Sequence, residues 1–217
     1  MIFSKSISIA LGLALLTGCS SSKDDEKKIG ETIGVVEDIN KGIPNVSVKE
    51  ISGKAIDGYL VYATVCLDLN LDNYCQIGEE PATSTDEEGS YKLELDNNQL
   101  ENINLELAPL LVYGGYDNDT KKDFEGKLKA VYEDDVTSFN ITPVTTLVES
   151  MVSSGEDVEK AKEQVAELLE INVEELSQDP IIEFEKDKVK GKKLLKANLK
   201  IQKMVEILGD AESKLNN

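Results

Sequence analysis

Histidine, arginine and tryptophan are all missing from these 217 residues, and 42 acidic residues face 23 basic ones, every one a lysine. Without histidine, Ser-His-Asp and Cys-His catalysis are excluded, as is every zinc site that needs an imidazole. Without arginine there is no bidentate clamp for phosphate or carboxylate. A net charge of −19 argues against phosphate-backbone binding, which needs cationic side chains to displace counterions, so no nucleic-acid partner is expected. With no tryptophan and only four phenylalanines, aromatic platforms for sugars are scarce. The many carboxylates are therefore a poor case for a hydrolase pair, and a metal-assisted hydrolase is kept only as the last alternative. No catalytic residue is assigned, and the protein is read as a non-enzyme.

Long apolar runs are nearly absent too. Ile7 to Leu16 is the longest, preceded by Lys5 and followed by Thr17-Gly18-Cys19. A positive start, a short apolar stretch and small residues form an export signal too short to span a bilayer as a mature helix. Leu16-Thr17-Gly18-Cys19 resembles the end of a bacterial lipoprotein signal peptide. The resemblance implies that residues 1–18 are removed and that Cys19 is lipidated. Two kinds of acyl chain exceed the threshold for stable anchoring, so the expected partner is a membrane. Ser20 after the cysteine implies the outer membrane, at its periplasmic face or the cell surface. Residues 19–45, which begin Cys19-Ser20-Ser21-Ser22-Lys23-Asp24-Asp25, read as a flexible polar tether, with a weakly marked strand near Thr32 to Val36.

Cysteine is as sparse: once Cys19 is set aside, Cys66 and Cys75 remain. In an exported, oxidising compartment such an even pair is expected to form a disulfide. Closing so short a loop contributes roughly 2–3 kcal/mol on the chain-entropy view.

From Val46 the apolar residues recur at period two. Val46, Val48 and Ile51 mark one strand, and Leu60 to Leu67, with Val61, Ala63, Val65 and Leu67 on one face, a second. Ala82 to Thr85 and Ser90 to Leu95 flank Asp86-Glu87-Glu88-Gly89 as a hairpin. Leu105 to Tyr113 contains Pro109 and so reads as an interrupted or edge strand. Gly126 to Tyr132 and Val136 to Ile141 complete the strand candidates. Thr142-Pro143 then switches the period, with helices expected over Pro143 to Ser153, Glu156 to Leu169 and Lys192 to Leu208. Strands followed by helices define an α+β chain: a β-domain over 46–141 and a helical region of about three helices over 142–217.

The sharpest motif lies between the strands. Asp68, Asn70 and Asp72 stand at positions 1, 3 and 5 of a loop, with Glu79 at position 12, the ligand spacing of the EF-hand calcium loop. Tyr74 would offer its backbone carbonyl at position 7, and Gln76 a direct or water-mediated ligand at position 9. Hard oxygens without nitrogen or sulfur favour Ca²⁺. Asn73 replaces the glycine of position 6, and asparagine is the next best residue at positive φ. The flanks are strands rather than helices, which argues against a sensor that opens on binding.

Gly53 to Asp68, the acidic loop, and Thr85-Asp86-Glu87-Glu88-Gly89-Ser90-Tyr91 together resemble a prealbumin-like β-sandwich. They are similar to calcium-binding B-repeats of bacterial surface adhesins and to carboxypeptidase-regulatory-like domains. That resemblance implies an antiparallel sandwich whose loop binds calcium through Asp68, Asn70, Asp72 and Glu79. It also implies a role in adhesion, envelope structure or docking to envelope or extracellular proteins, with glycan or small-ligand binding as the alternative. Asp117, Asp119 and Asp123 read as a solvated Asx turn rather than a second ion site. Eight lysines from Lys186 to Lys203 read as a solvated helix face, with contact to anionic headgroups or to the chain's own acidic surface as alternatives.

Overall fold

The computed structural model describes residues 48–96, 105 and 108–215, all within the unit Val46–Asn217. The signal segment, Cys19, the tether and the Thr32–Val36 strand lie outside the described residues. Eight strands come first: β1 (Val48–Lys54), β2 (Leu60–Val61), β3 (Thr64–Leu67), β4 (Ala82–Ser84), β5 (Ser90–Asp96), β6 (Leu110–Tyr113), β7 (Tyr116–Asp117) and β8 (Lys127–Ala130). Helices α1 (Pro143–Ser153), α2 (Val158–Leu169), α3 (Pro180–Lys186) and α4 (Lys188–Leu215) follow, so the chain is α+β.

All strand pairs are antiparallel: β1 with β5, β2 with β7, and a four-stranded sheet in the order β4-β3-β6-β8. Alternation along β3 and β6 gives that sheet two buried faces. Val65, Leu67, Leu110 and Val112 join Ile51, Leu93 and Leu95 of β1 and β5 in the main core. Cys66 and Leu111 point the other way, into a small cluster with Cys75.

Several details differ from the sequence reading. The strand expected over Leu60 to Leu67 is broken, because Tyr62 turns to φ 55°. Buried Thr85 bridges the break, its Oγ1 accepting from the Ala63 amide at 2.9 Å and donating to the Leu60 carbonyl at 2.7 Å. Thr85→Val should therefore strand two buried backbone groups and cost about 2–4 kcal/mol in urea denaturation, with Thr85→Ser much milder.

The segments on either side of Asp86–Gly89 do not form a hairpin ladder. β4 pairs with β3, and β5 crosses to β1. Pro109 does not put its strand at an edge, because it precedes β6, which is central between β3 and β8. Residues 137–141 run parallel beside β1, with Phe139 N–H donating to Ser52 and Ile141 N–H to Lys54 at 2.8 Å each. Gly53 permits that approach, since a Cβ there would stand 1.8 Å from the Phe139 carbonyl oxygen.

Among the helices, Thr142 and Thr145 form a reciprocal capping box ahead of Pro143, and Asp157 caps α2. The Asp179-Pro180 pair, a break in the sequence reading, begins α3: Asp179 Oδ1 accepts from the Ile181 and Ile182 amides. Its Oδ2 accepts from the Tyr59 hydroxyl at 2.9 Å, tying α3 to the β-domain. Burial and that carboxylate push the Tyr59 phenol well above its ordinary pKa. Val144, Val148, Val165, Leu169, Leu194 and Ile201 fill a second core between α1, α2 and α4. No described helix is long and apolar enough to cross a membrane.

Candidate functional site

The loop over residues 68–81 leaves and rejoins the sheet at one point. Leu67 N–H donates to the Pro81 carbonyl, and Asp68 N–H to that of Pro109. Cys66, facing outward from β3, meets Cys75 in a disulfide with its Cα atoms 5.7 Å apart. Tyr74 stacks on Tyr113 at a centroid distance of 5.6 Å, which covers the staple. Burial is the main force raising the Tyr113 phenol above its usual value, against a hydrogen bond from Cys75 N–H that acts the other way.

Inside the loop the acceptors converge on the backbone. Asp68 is fully buried, and its two oxygens accept from Asp72 N–H at 3.2 Å and Asn73 N–H at 2.9 Å. Asn70 Oδ1 accepts from Asp72 N–H, Asp72 Oδ1 from Tyr74 N–H, and Asp72 Oδ2 from the Gln76 side-chain Nε2. Asn73 has φ 64°, as expected at position 6, and Leu71 has φ 62° two residues before it. A left-handed leucine costs about 1–2 kcal/mol, so the remaining contacts must hold it there.

The structure thus brings Asp68, Asn70, Asp72 and Gln76 into one loop and sets Tyr74 against Tyr113. Glu79 is exposed. Glu80, one residue later, is buried and turns inward. Its Oε1 accepts from the Leu69 and Asn70 amides, and its Oε2 from that of Gln76. Sequence spacing missed Glu80, although a carboxylate wedged between Glu79 and Pro81 was a visible signal.

Two buried carboxylates, Asp68 and Glu80, therefore lie at the loop base, and neither forms an ion pair among the described residues. Gln76 Oε1 is buried with no hydrogen-bond partner there. A hard cation suits such a surplus of oxygens over donors. Yet no three acidic, cysteine or histidine side chains among the described residues converge as a ready metal cluster. The carboxylates are satisfied by amides, so an ion would have to draw Asp72 and Gln76 away from the contacts they now make. The Asp117 region is an Asx turn, in which the Asp117 carboxylate accepts from Asp119 N–H and the Thr120 hydroxyl.

Beside the loop, a cavity of about 530 Å³ opens over the outer face of the sheet, bounded by Asp68, Asn73, Lys129, Glu149 and Ser153. Cys66, Leu111 and Lys129 are register partners across β3, β6 and β8, so loop and helix α1 flank the same row. Thr145 and Thr146 act as pins: Thr145 Oγ1 donates to the Lys129 carbonyl and Thr146 Oγ1 accepts from the Lys129 amide. Glu149, 3% exposed, stands 3.4 Å from Lys129 Nζ and accepts from the Ser153 hydroxyl at 2.6 Å. Its place four residues after Thr145 and three before Val152 set it on the inward stripe of α1, a signal the sequence reading passed over.

Comparison with protein-family profiles, curated proteins and solved structures returned no match.

Proposed function

We propose that the protein is a non-catalytic, lipid-anchored envelope or surface lipoprotein whose β-domain is a prealbumin-like sandwich steadied by calcium. It serves adhesion, envelope structure or the docking of an envelope or extracellular partner. The observation that carries the calcium reading is the loop itself: buried Asp68 and Glu80 with only amide donors, and Gln76 Oε1 with none. Asp68, Asn70, Asp72 and Gln76 would hold the ion, with Glu80 in the role that spacing gives to Glu79. Bound calcium would neutralise this concentration of negative charge, and the Cys66–Cys75 staple limits the entropy lost on binding.

The anchor is tested in a bacterial host. Cys19→Ser should abolish acyl labelling and move the protein out of the detergent-extracted membrane fraction. Unchanged membrane retention and labelling would remove the anchor from the proposal. Capture of partners from intact cells, with and without chelator, then reads the calcium-dependent surface. Enrichment of the same envelope partner only with calcium supports docking, and a partner set indifferent to chelator contradicts it.

A second reading, a lipoprotein that binds a glycan or small ligand, is favoured by the cavity between the sheet and α1. A ligand that raises the melting temperature of the parent protein but not of Val152→Trp, which fills that space, would select it.

A further inference from the structure

Lys196, Leu199, Lys200, Lys203 and Met204 of α4 fall at i, i+3, i+4, i+7 and i+8, one stripe of the helix. The adjoining stripe, Leu194, Ala197 and Ile201, is buried in the helical core. On the outward stripe Leu199 is 59% and Met204 53% exposed, and Leu168 of the neighbouring α2 is 61% exposed. These apolar side chains and the lysine stems line an open groove of about 540 Å³.

On the α4 side of this groove the charge opposes that of the rest of the chain, while exposed Glu163, Glu167 and Glu170 stand on or beside α2. Eight of the 23 lysines lie between 186 and 203, where Asp187 is the only acid, in a protein of net charge −19. Lys186 and Lys190 pair with Glu183, and Lys188 covers the Phe184 ring. Lys192, Lys193, Lys196 and Lys200 are exposed and form no ion pair among the described residues.

We propose that this face of α2 and α4 lies on an anionic lipid surface. Leu168, Leu199 and Met204 enter the headgroup boundary, and the lysines extend their stems over apolar surface while their ammonium groups reach phosphate. The same groups could meet an acidic protein. A bilayer is favoured because apolar and cationic groups share one open strip, while the strongly acidic remainder is repelled from an anionic surface, so this is the face that can approach one. The proposal rests on the anchoring read at Cys19, which brings the bilayer near without choosing a face. Fully extended, the chain from Cys19 to Val48 spans at most about 100 Å, so the anchor sets no orientation alone.

The test uses the absence of tryptophan. Leu199→Trp in the full lipidated chain places one indole on the strip, and Tyr74→Trp places one on the exposed loop. Each protein is reconstituted in phosphatidylcholine vesicles with or without 40% phosphatidylglycerol. Flotation reads the anchor, and indole emission and quenching by brominated lipid read the docking. The expected result is a blue shift and strong quenching for the α4 indole only with phosphatidylglycerol. It should be lost in Lys196→Glu/Lys200→Glu and reduced several-fold by 0.5 M salt. The loop indole should respond to neither lipid. Flotation without an α4 response to lipid charge overturns the proposal while leaving the anchor intact. A blue shift that grows with protein concentration in the absence of vesicles also overturns it, since a second copy then covers the strip. If the protein does not float, the same vesicles added to soluble protein read docking without the anchor.

Discussion

Glu80→Ala is expected to lose about 3 kcal/mol of folding stability in urea with chelator present, whereas Glu79→Ala changes it by less than about 0.5 kcal/mol. The two carboxylates are neighbours in sequence and opposites in environment. Glu80 is buried and accepts three amides, from Leu69, Asn70 and Gln76, that have to be desolvated for the loop to close. Truncating it leaves those donors without their acceptor in a half-buried site, and each such loss costs about 1–3 kcal/mol. Glu79 is exposed, so its removal exposes nothing new. Glu80→Gln keeps the volume but turns one acceptor into a donor, and should fall between the two. Equal effects at 79 and 80 would mean that the loop closes in another register.

A second large effect is expected at Glu149. Glu149→Ala should cost about 3–5 kcal/mol, because it leaves the Lys129 ammonium in a largely buried position without its counter-charge. The Lys129 and Glu149 side chains are 19% and 5% exposed, so solvent screens this pair far less than the surface pairs. Lys129→Met should also destabilise, by leaving the carboxylate alone with Ser153. The double change Lys129→Met/Glu149→Leu should recover most of the loss, since two apolar groups need no partner. Equilibrium denaturation of the four proteins gives the coupling directly. A double variant as unstable as the sum of the singles would show that the pair is not a unit.

Much of the fold was legible where local chemistry sets it. Thr142-Pro143 marks the start of α1 because the cap and the fixed proline φ act within one turn. β8 follows from alternation that one packed face enforces. The disulfide was expected from an even pair of cysteines in a chain read as exported, and Cys66 and Cys75 form it.

What the sequence hid depends on partners far along the chain. Ala82–Ser84 and Ser90–Asp96 look like one hairpin, but their ladders go to β3 and β1, a choice made by the layers of the core. Pro109 looks like an edge marker because its missing N–H matters only inside the ladder, and the strand begins one residue later. The acidic loop was readable as an oxygen-rich turn. Its inward glutamate was not, because the amides of both Glu79 and Glu80 donate to the Gln76 carbonyl, and the side chain that faces inward is settled by that turn.

Calcium titration of the melting temperature tests the central proposal most directly. With a dissociation constant of about 10⁻⁴–10⁻³ M for an extracellular site, 10 mM calcium should stabilise the chelated protein by about 1–3 kcal/mol. That corresponds to a rise of about 3–10 °C for a domain of this size. The rise should be specific for Ca²⁺ over Mg²⁺ and absent in Asp72→Ala, whose exposed side chain permits the fold without the ion. A melting temperature that does not move with calcium, or moves equally in Asp72→Ala, would contradict the reading of the 68–80 loop as a calcium site.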